Sequence, residues 1–342
     1  MKETIRAYTR LTRFHTVPLE MVPATVGAVV ATGGLFNRQV LPWVVFGALY
    51  HLVVYGQNSL EDWRRGWDKD DPNKQHHPLN AGMMSQREAS LFVYGLFALT
   101  VGYTVAIAGN WLAIALFLTG LPITGSLYNI VGKRTRWKFL FIAYAHTTVF
   151  AVPYFAIAGA VDTAFIVGCL YLFSWVVFQI AVSGEVKDMA QDEANFLKAL
   201  GSRVESSGDG YLVTFSPGAK LFSYASRAVT VALGIGFGHL VARRYDTAGS
   251  ALAGLGVTEL MLAGVGALSL VLTWSMLRNG PFNRTERIAT MSKIEATSVL
   301  ILLVAVVSVI GMPAAVFLFL GSGVWVMVFN KIEWGTLVAP DV

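Results

Sequence analysis

The chain has 342 residues, of which 55% are hydrophobic and only 14% charged, and its mean hydropathy is +0.56. Mostly apolar runs of about 18 to 25 residues recur along nearly the whole chain, each long enough to cross a bilayer as a helix. This composition excludes a soluble globule. The alternating pattern of barrel strands is absent, so we expect helical spans. Basic loops at one membrane face explain the net charge of +5, and we expect no nucleic-acid partner.

The pattern predicts an all-α bundle of nine or ten transmembrane helices in a single domain over residues 1–342. The N-terminal segment is basic and lacks the short apolar stretch and cleavage site of a removed signal. Nine predicted spans cover 16–36, 40–62, 88–108, 110–131, 137–160, 164–187, 219–243, 252–277 and 295–312. A tenth, 313–330, follows a break indicated by Gly311, Met312 and Pro313.

Loop charges predict the orientation of these spans. Connections from odd to even spans are short and mostly uncharged, with Arg243 and Arg244 as the main exception. The connections that carry most of the Lys and Arg residues are about 63–87, 132–138, 188–218 and 278–294. By the positive-inside rule, these loops and the basic N-terminus face the cytoplasm of a multi-pass protein in the cell membrane.

A first acidic cluster lies at the predicted cytoplasmic end of the second span. Asn58 and Asp62 are four residues apart and therefore share one helix face. Their amide and carboxylate oxygens suit Mg²⁺, which is commonly held by one or two carboxylates together with substrate phosphates. Three further acids precede Pro72, before which a helix is expected to end: Asp68, Asp70 and Asp71. A solvated, charged loop at the helix end is the alternative interpretation, and it suits Glu61, Lys69 and Asp71.

A second acidic cluster continues the sixth span, again on the predicted cytoplasmic side. Asp188 and Asp192 repeat the four-residue spacing, and Glu185 precedes them by three residues. A solvated helix face is the usual explanation for such a stripe, but this one extends an apolar run of membrane length. Lys187 could bind phosphate or anchor the chain at the headgroups. Because both clusters lie at one membrane face, topology permits them to meet around a divalent cation and a diphosphate.

These segments resemble the Asp-rich motifs of the UbiA superfamily of intramembrane prenyltransferases. Asn58 and Asp62 match its Asn-x-x-x-Asp pattern, and Asp188 with Asp192 matches its second motif. Supporting landmarks are Gly66-Trp67-Asp68, His77-Pro78-Leu79-Asn80-Ala81-Gly82, Tyr128 followed by Lys133-Arg134, and Arg13-Phe14-His15-Thr16. Ser59 and His77 depart from the residues usual at their positions, which leaves the charge at the first motif and its contact with diphosphate open.

The resemblance implies that two Mg²⁺ ions join the acidic motifs to a prenyl diphosphate. The implied metal ligands are Asn58, Asp62, Asp68, Asp188 and Asp192, with Asp70 or Asp71 as alternatives for the role of Asp68. Tyr128 is a candidate for closing the pocket or shielding the allylic cation, and an interfacial belt tyrosine is the alternative. Candidate substrate contacts are Lys74, His77, Lys133, Arg134, Lys187 and His146. Positive-inside anchoring is the alternative for Lys133 and Arg134, and a satisfied core side chain is the alternative for His146.

The resemblance therefore predicts a Mg²⁺-dependent transfer of a prenyl group to an aromatic, quinone-precursor or related lipid acceptor. A UbiA-type terpene cyclase, which would use the same metal site without an acceptor, is the alternative. A transporter is less favoured, because the acids lie at one end of the helices rather than at the membrane midplane. The acceptor, the prenyl length and the oligomeric state do not follow from the sequence.

Overall fold

Ten membrane-length helices dominate the part of the chain that the structure describes. The computed structural model describes residues 2–69, 74–130, 135–190, 195–207, 210–245 and 251–337. The predicted helical membrane bundle is therefore confirmed, with the tenth span included. The fourth and sixth spans are composite, since each contains a stretch of wider π-helix.

The helices and strands follow one another with few long connections. In chain order they are α1 (Lys2–Leu11), α2 (Pro18–Thr32), α3 (Val40–Arg64), α4 (Gln86–Ala108), α5 (Trp111–Leu118), α6 (Ser126–Ile130), α7 (Lys138–Ala158), α8 (Thr163–Phe178), α9 (Glu185–Lys187), α10 (Phe196–Ala199), β1 (Arg203–Ser207), β2 (Gly210–Thr214), α11 (Pro217–Tyr245), α12 (Ala251–Met276), β3 (Gly280–Pro281), α13 (Arg284–Ala305), α14 (Val307–Ile310) and α15 (Met312–Trp334). The π-helical stretches, Thr119–Gly125 and Gln179–Gly184, connect α5 to α6 and α8 to α9.

Polar side chains fix where several spans begin. The Ser85 hydroxyl accepts a hydrogen bond from the Glu88 amide, and the Glu88 carboxylate accepts one from the Ser85 amide, which forms a capping box at the start of α4. Asn110 and Asp162 cap α5 and α8 in the simpler way, each accepting a bond from an amide three residues on. These caps satisfy amide groups that have no partner within the helix.

The ninth span begins earlier than the sequence predicts. Residues 284–294 were expected to belong to a loop, but α13 already starts at Arg284. The Asn283 side chain caps this helix by accepting a bond from the Glu286 amide. The prediction was wrong here because the first turns of the helix are charged, as loops often are. The charge of Arg287 is accommodated by hydrogen bonds, including one that its guanidinium donates to the Arg278 carbonyl at 2.9 Å. The predicted break at Gly311 is confirmed, since Gly311 has a φ of 80° and α15 begins at the next residue.

A small antiparallel sheet, which the prediction lacked, is formed by two strands of the predicted loop 188–218 and one strand of the predicted loop 278–294. Strands β1 and β2 form a hairpin in which Arg203 pairs with Thr214, and β3 adds to the other edge of β2. Val213 is the buried residue of β2, and it packs in a cluster with Phe215, Phe196 and Met276. The loops before α11 and after α12 are therefore joined by strand pairing and by a shared apolar core.

The chain divides into two compact units. The first comprises residues 1–130, 148–160 and 316–342, and its largest helix pairing is α2 against α3. The pairing is close because Gly47 of α3 lies against the backbone of Met21. A smaller apolar cluster of the same unit includes Leu11, Leu60 and Val93.

The second unit comprises residues 131–147 and 161–315, in which α11 packs on α8, α12 and α13. Its interior contains a fully buried cation, Arg227, in the middle of α11. The guanidinium donates to the Ser298 hydroxyl at 2.8 Å and to the Thr297 hydroxyl at 2.9 Å, and it lies 5.2 Å from the centre of the Phe178 ring. Hydroxyl groups on neighbouring helices thus solvate a charge that lipid could not.

Gly27 provides a test of packing within the first unit. A methyl group added there would overlap the carbonyl oxygen of Phe150, whereas one added at Gly95 would meet nothing within 4 Å. We expect Gly27→Ala to lower stability by about 1–3 kcal/mol, because a well-packed contact must open. We expect Gly95→Ala to be neutral or stabilising by up to about 1 kcal/mol, because Ala favours a helix. Thermal unfolding of both variants in one detergent measures the difference, and equal midpoints would contradict the packing.

Candidate active site

The first acidic motif lies at the end of α3, in the first unit. The Asn58 amide nitrogen is 3.3 Å from a carboxylate oxygen of Asp62 and donates to it. Asp62 is buried, with only 8% of its surface exposed. The predicted pairing of these two residues on one helix face is therefore present. A 180° flip of the Asn58 side-chain amide would exchange its nitrogen and oxygen and place the oxygen beside the Asp62 carboxylate, where both could face a cation.

A tight turn follows the helix and positions the third acid. Gly66 adopts a φ of 81°, which favours glycine, and the Trp67 amide donates to the carbonyl of Asp62 at 3.0 Å. Asp68 follows directly and is buried. The Asn80 side chain donates to the carbonyl oxygens of Asp68 and Lys74, each at 2.8 Å. Asn80 thus braces both ends of the segment that carries the third acid.

Glu61, between the motif residues in sequence, has a different environment. Its carboxylate accepts a hydrogen bond from Arg64 at 2.8 Å and lies 4.0 Å from Arg65. Arg64 also donates to the Tyr94 hydroxyl and the Ser90 hydroxyl of α4. Glu61 is therefore compensated by its own helix, as expected for an acid outside the site.

His77 is buried rather than available as a surface cation. In the described part of the chain, neither of its ring nitrogens has a hydrogen-bond partner. Burial, together with the positive charges of Lys74, Arg13 and His76, lowers the pKa of His77 to about 3. At neutral pH it therefore offers a phosphate a neutral N–H donor instead of a positive charge.

The second acidic motif lies beyond α9, in the second unit. Asp188 accepts a hydrogen bond from Arg284 at 3.1 Å and pairs with Lys187 at 3.2 Å. Burial alone would raise the pKa of Asp188, but the charges of Lys187 and Arg284 outweigh it, and the pKa is lowered. Asp188 is therefore kept ionised, as a metal ligand must be. Sequence reasoning missed Arg284, because only the fold brings the start of α13 to this carboxylate.

Glu185 does not join Asp188 in an acidic stripe. Its carboxylate pairs with Lys138 at 2.7 Å and accepts the Phe196 amide at 2.6 Å. The Asn195 side chain donates to the Glu185 carbonyl at 2.7 Å and caps α10. These bonds close the base of the loop that follows α9. Glu185 thus supports the acidic loop, and no local sequence signal identified this role.

Two further candidate residues, Tyr128 and His146, lie on other helices. Tyr128 is half-buried on α6, which packs against α3. His146 is half-buried on α7 in the second unit. The remaining candidates lie outside the described residues: Asp70, Asp71, Lys133, Arg134 and Asp192.

In both composite spans, the π-helical stretch ends within one turn of a candidate residue. Thr119–Gly125 precedes Tyr128, and Gln179–Gly184 precedes Asp188. The first stretch contains Pro122, which has no amide hydrogen to continue a regular helix. Wide turns of this kind are frequent at functional sites.

The donor set fits Mg²⁺ in part. Among the described residues, no three His, Cys, Asp or Glu side chains converge to form a complete metal cage. A cage is unnecessary for Mg²⁺, which takes one or two carboxylates and completes its shell with water and phosphate oxygens. The close pair of Asn58 and Asp62 and the ionised Asp188 have the oxygen chemistry this ion prefers.

Ten spans, with acidic side chains at the ends of two of them, define a multi-pass membrane protein. Residues 21–281 match the UbiA prenyltransferase family. The match covers most of the chain, so the protein belongs to this family. The resemblance drawn from the motifs is confirmed.

Individual proteins that are similar to this chain share less than 30% of their residues with it. Digeranylgeranylglyceryl phosphate synthase from Thermococcus kodakarensis is 28% identical over 149 residues, which cover 42% of this chain and 42% of that protein. A UbiA homologue from Aeropyrum pernix K1 is similar in structure, with a TM-score of 0.59 and 18% identity, over 85% of this chain and 96% of that one. A UbiA homologue from Archaeoglobus fulgidus bound to GPP and Mg²⁺ has a TM-score of 0.56 and 19% identity, over 88% and 99% of the two chains. These structures share the fold.

The pKa of His77 predicts a pH dependence of stability. Its pKa is about 3 in the folded protein and close to 6.5 in an unfolded chain. Below pH 6.5 the unfolded state therefore binds more protons, and stability falls as the pH drops from about 6.5 towards 3, by at most about 1.4 kcal/mol per pH unit. We expect His77→Gln to weaken this dependence, measured as thermal midpoints at pH 5, 6 and 7.5. The same dependence in both proteins would exclude His77 as its source.

The support role of Glu185 is testable by stability. We expect Glu185→Ala to destabilise the protein by about 3 kcal/mol, because Lys138 and the Phe196 amide would lose a buried acceptor. The matched control, Glu61→Ala, removes a more exposed pair on one helix and should cost less than about 1 kcal/mol. Hydrogen exchange near Phe196 should quicken in the first variant alone. Equal losses in the two variants would show that Glu185 closes no loop.

Proposed function

We propose that the protein transfers a prenyl group from a prenyl diphosphate to a lipid or aromatic acceptor in a reaction that requires Mg²⁺. The observation that carries the proposal is the pair of acidic motifs at helix ends, in which buried Asp62 accepts the Asn58 amide and Asp188 pairs with Lys187 and Arg284. The family model and the GPP and Mg²⁺ bound to the Archaeoglobus fulgidus homologue support it. The residues we propose to hold the metal are Asn58, Asp62, Asp68, Asp188 and Asp192.

When bound, Mg²⁺ would neutralise negative charge on the diphosphate as its bond to the allylic carbon breaks. The residues around the acids complement this charge. We propose that Lys187 and Arg284, which flank Asp188, shift toward the leaving group when the acid binds metal. Further proposed diphosphate contacts are Lys74, His77, Lys133 and Arg134. Tyr128 and His146 are proposed to line the path of the allylic cation and the acceptor, respectively.

Two acceptor classes fit the proposal. The match to a synthase of digeranylgeranylglyceryl phosphate supports a glycerol lipid that carries a phosphate. Gly66-Trp67-Asp68 and the segment around Arg13-Phe14-His15-Thr16 resemble segments of quinone-pathway members, which supports an aromatic acceptor. In both cases the acceptor attacks the allylic carbon, the diphosphate leaves, and the acceptor loses a proton. By the positive-inside rule, we propose that this site faces the cytoplasm.

The metal ligands can be tested with matched variants in purified protein. We expect Asp62→Asn and Asp188→Asn each to reduce Mg²⁺-dependent release of diphosphate by at least about 100-fold, because a charged ligand is lost at a site of charge development. Glu61→Gln, whose carboxylate pairs with its own helix, should keep activity within about threefold of wild type. Full activity in either aspartate variant would contradict the site.

The same assay separates transfer from cyclisation. Each prenyl diphosphate is incubated with Mg²⁺ alone, with an aromatic quinone precursor, or with a prenylglyceryl phosphate. Turnover only with an acceptor supports transfer and identifies the acceptor class. A cyclic hydrocarbon formed without any acceptor would overturn the proposal in favour of a UbiA-type terpene cyclase.

A further inference from the structure

The connection between α1 and α2 contains an unusual backbone conformation. Arg13 has a φ of 48° and a ψ of 51°, and among the described residues it is the only one other than glycine with a positive φ. This left-handed conformation brings the Cβ atom of an L-residue close to the following carbonyl oxygen. Such strain persists only where the surroundings impose it, and it is concentrated at functional sites.

Hydrogen bonds to the Arg13 carbonyl oxygen impose this conformation. The oxygen accepts the Thr16 amide and the Thr16 hydroxyl, both at 2.9 Å. It also lies 3.0 Å from the Nε2 atom of His51, which reaches it from α3. His51 is 38 residues away in sequence, so this contact is tertiary rather than local.

His51 is held in turn by Glu20. The Nδ1 atom of His51 contacts a carboxylate oxygen of Glu20, and both side chains are 0% exposed. The Arg13 carbonyl oxygen can only accept a hydrogen bond, so Nε2 must carry a hydrogen. A second proton lies between Nδ1 and the carboxylate. The pair is therefore a buried acid–base unit without net charge inside two membrane spans, a position where ionisable groups are costly and usually functional.

The side chain of Arg13 extends from this fixed backbone toward other polar groups. Its guanidinium carbon lies 5.3 Å from the centre of the Tyr55 ring, and that ring stacks on His51 with centroids 4.4 Å apart. The Arg13 Nε atom is buried and has no hydrogen-bond partner in the described part of the chain. Its charge also acts on His77, whose two ring nitrogens are equally without partners among the described residues.

We infer that Glu20 and His51 are positioning residues that hold Arg13 in its left-handed conformation, so that its guanidinium and the His77 imidazole bind one phosphate-bearing group. An oxyanion would satisfy donors that are otherwise buried without acceptors. The inference deepens the proposed function, because both the diphosphate of the donor and a phosphate on a glycerol lipid acceptor have this chemistry. Glu20 and His51 act through Arg13 and are not in contact with the phosphate.

Direct binding tests the inference without turnover. Inorganic pyrophosphate represents the donor and glycerol phosphate the acceptor headgroup, and each is titrated calorimetrically into detergent-purified protein with Mg²⁺. We expect Glu20→Gln to weaken binding of one of the two probes by about tenfold, equivalent to one charge-assisted hydrogen bond. The probe that is affected identifies which substrate Arg13 contacts. No change for either probe would overturn the inference.

A second buried pair provides the matched control. Glu333 contacts Nδ1 of His15 at 2.7 Å, with side chains 0% and 7% exposed, yet the structure records no hydrogen bond from His15 to the Arg13 carbonyl among the described contacts. Glu333→Gln should lower thermal stability about as much as Glu20→Gln does while leaving both affinities unchanged. If it weakens binding equally, the effect of Glu20 reflects general loss of a buried pair, and the positioning role fails.

A double-mutant cycle separates positioning from structural support. In an Arg13→Ala background, Glu20→Gln should cause no further loss of affinity, because its effect passes through Arg13. Additive losses would overturn the inference. Should Glu20→Gln fail to fold in detergent, His51→Gln takes its place in the cycle, with the same expected result. The inference and the proposed function can fail separately. If the losses of pyrophosphate binding are not additive but the protein forms no prenylated product, the positioning pair is upheld and the proposed function is rejected. If the protein transfers prenyl groups but the losses are additive, the proposed function is upheld and the positioning pair is rejected.

Discussion

Ionisable groups next to apolar helices must find partners within the protein, because little water is available to solvate them. This constraint accounts for most of the polar contacts described above. Asp188 has two cations beside it, and Glu185 has a lysine and a backbone amide. Deeper in the second unit, hydroxyl groups and an aromatic ring surround Arg227. In the contacts described above, the carboxylates proposed to bind metal have side-chain partners, whereas Glu185 also accepts a backbone amide.

The acids therefore divide by the kind of group that satisfies them. Glu185 and Glu20 are fixed by buried bonds to groups that are part of the fold. Asp62 interacts with a neutral amide, and Asp188 with a lysine and an arginine on flexible side chains. A divalent cation that replaced the partners of Asp188 would meet a carboxylate that is already ionised, and only side chains would need to move. Sequence position alone did not separate these two groups.

The fold was largely predictable because a membrane span must be apolar for about 20 residues, and such runs can be recognised in the sequence. The exceptions have physical causes. The charged first turns of α13 resembled a loop because no hydrophobic face marks them, and the Asn283 cap that starts the helix is a common residue in turns as well. The β1–β2 hairpin depends on tertiary contacts, since its inward residue Val213 is buried against α10 and α12. Short strands are marginal without such support.

For the site, spacing identified the pairs that a single helix carries. Asn58 and Asp62 are neighbours because a regular helix repeats every 3.6 residues. Contacts between distant segments left no trace in the sequence: Arg284 with Asp188, Lys138 with Glu185, and His51 with the Arg13 carbonyl. His77 departs from the arginine usual at its position, and burial makes it a neutral donor. Local spacing thus predicts ligands, whereas burial and tertiary contacts decide their ionisation and orientation.

The π-helical stretches have a consequence for reading the helices that contain them. A π turn holds an extra residue relative to an α turn, so side chains after Gly125 and after Gly184 are rotated by about 100° from the face that an uninterrupted helix would give them. Periodicity counted through either stretch therefore assigns Tyr128 and Glu185 to the wrong side. Conversely, the loss of one residue from Thr119–Gly125 would turn the side chains of α6, Tyr128 among them, by about 100°. Insertions and deletions there change the direction of side chains without changing their chemistry.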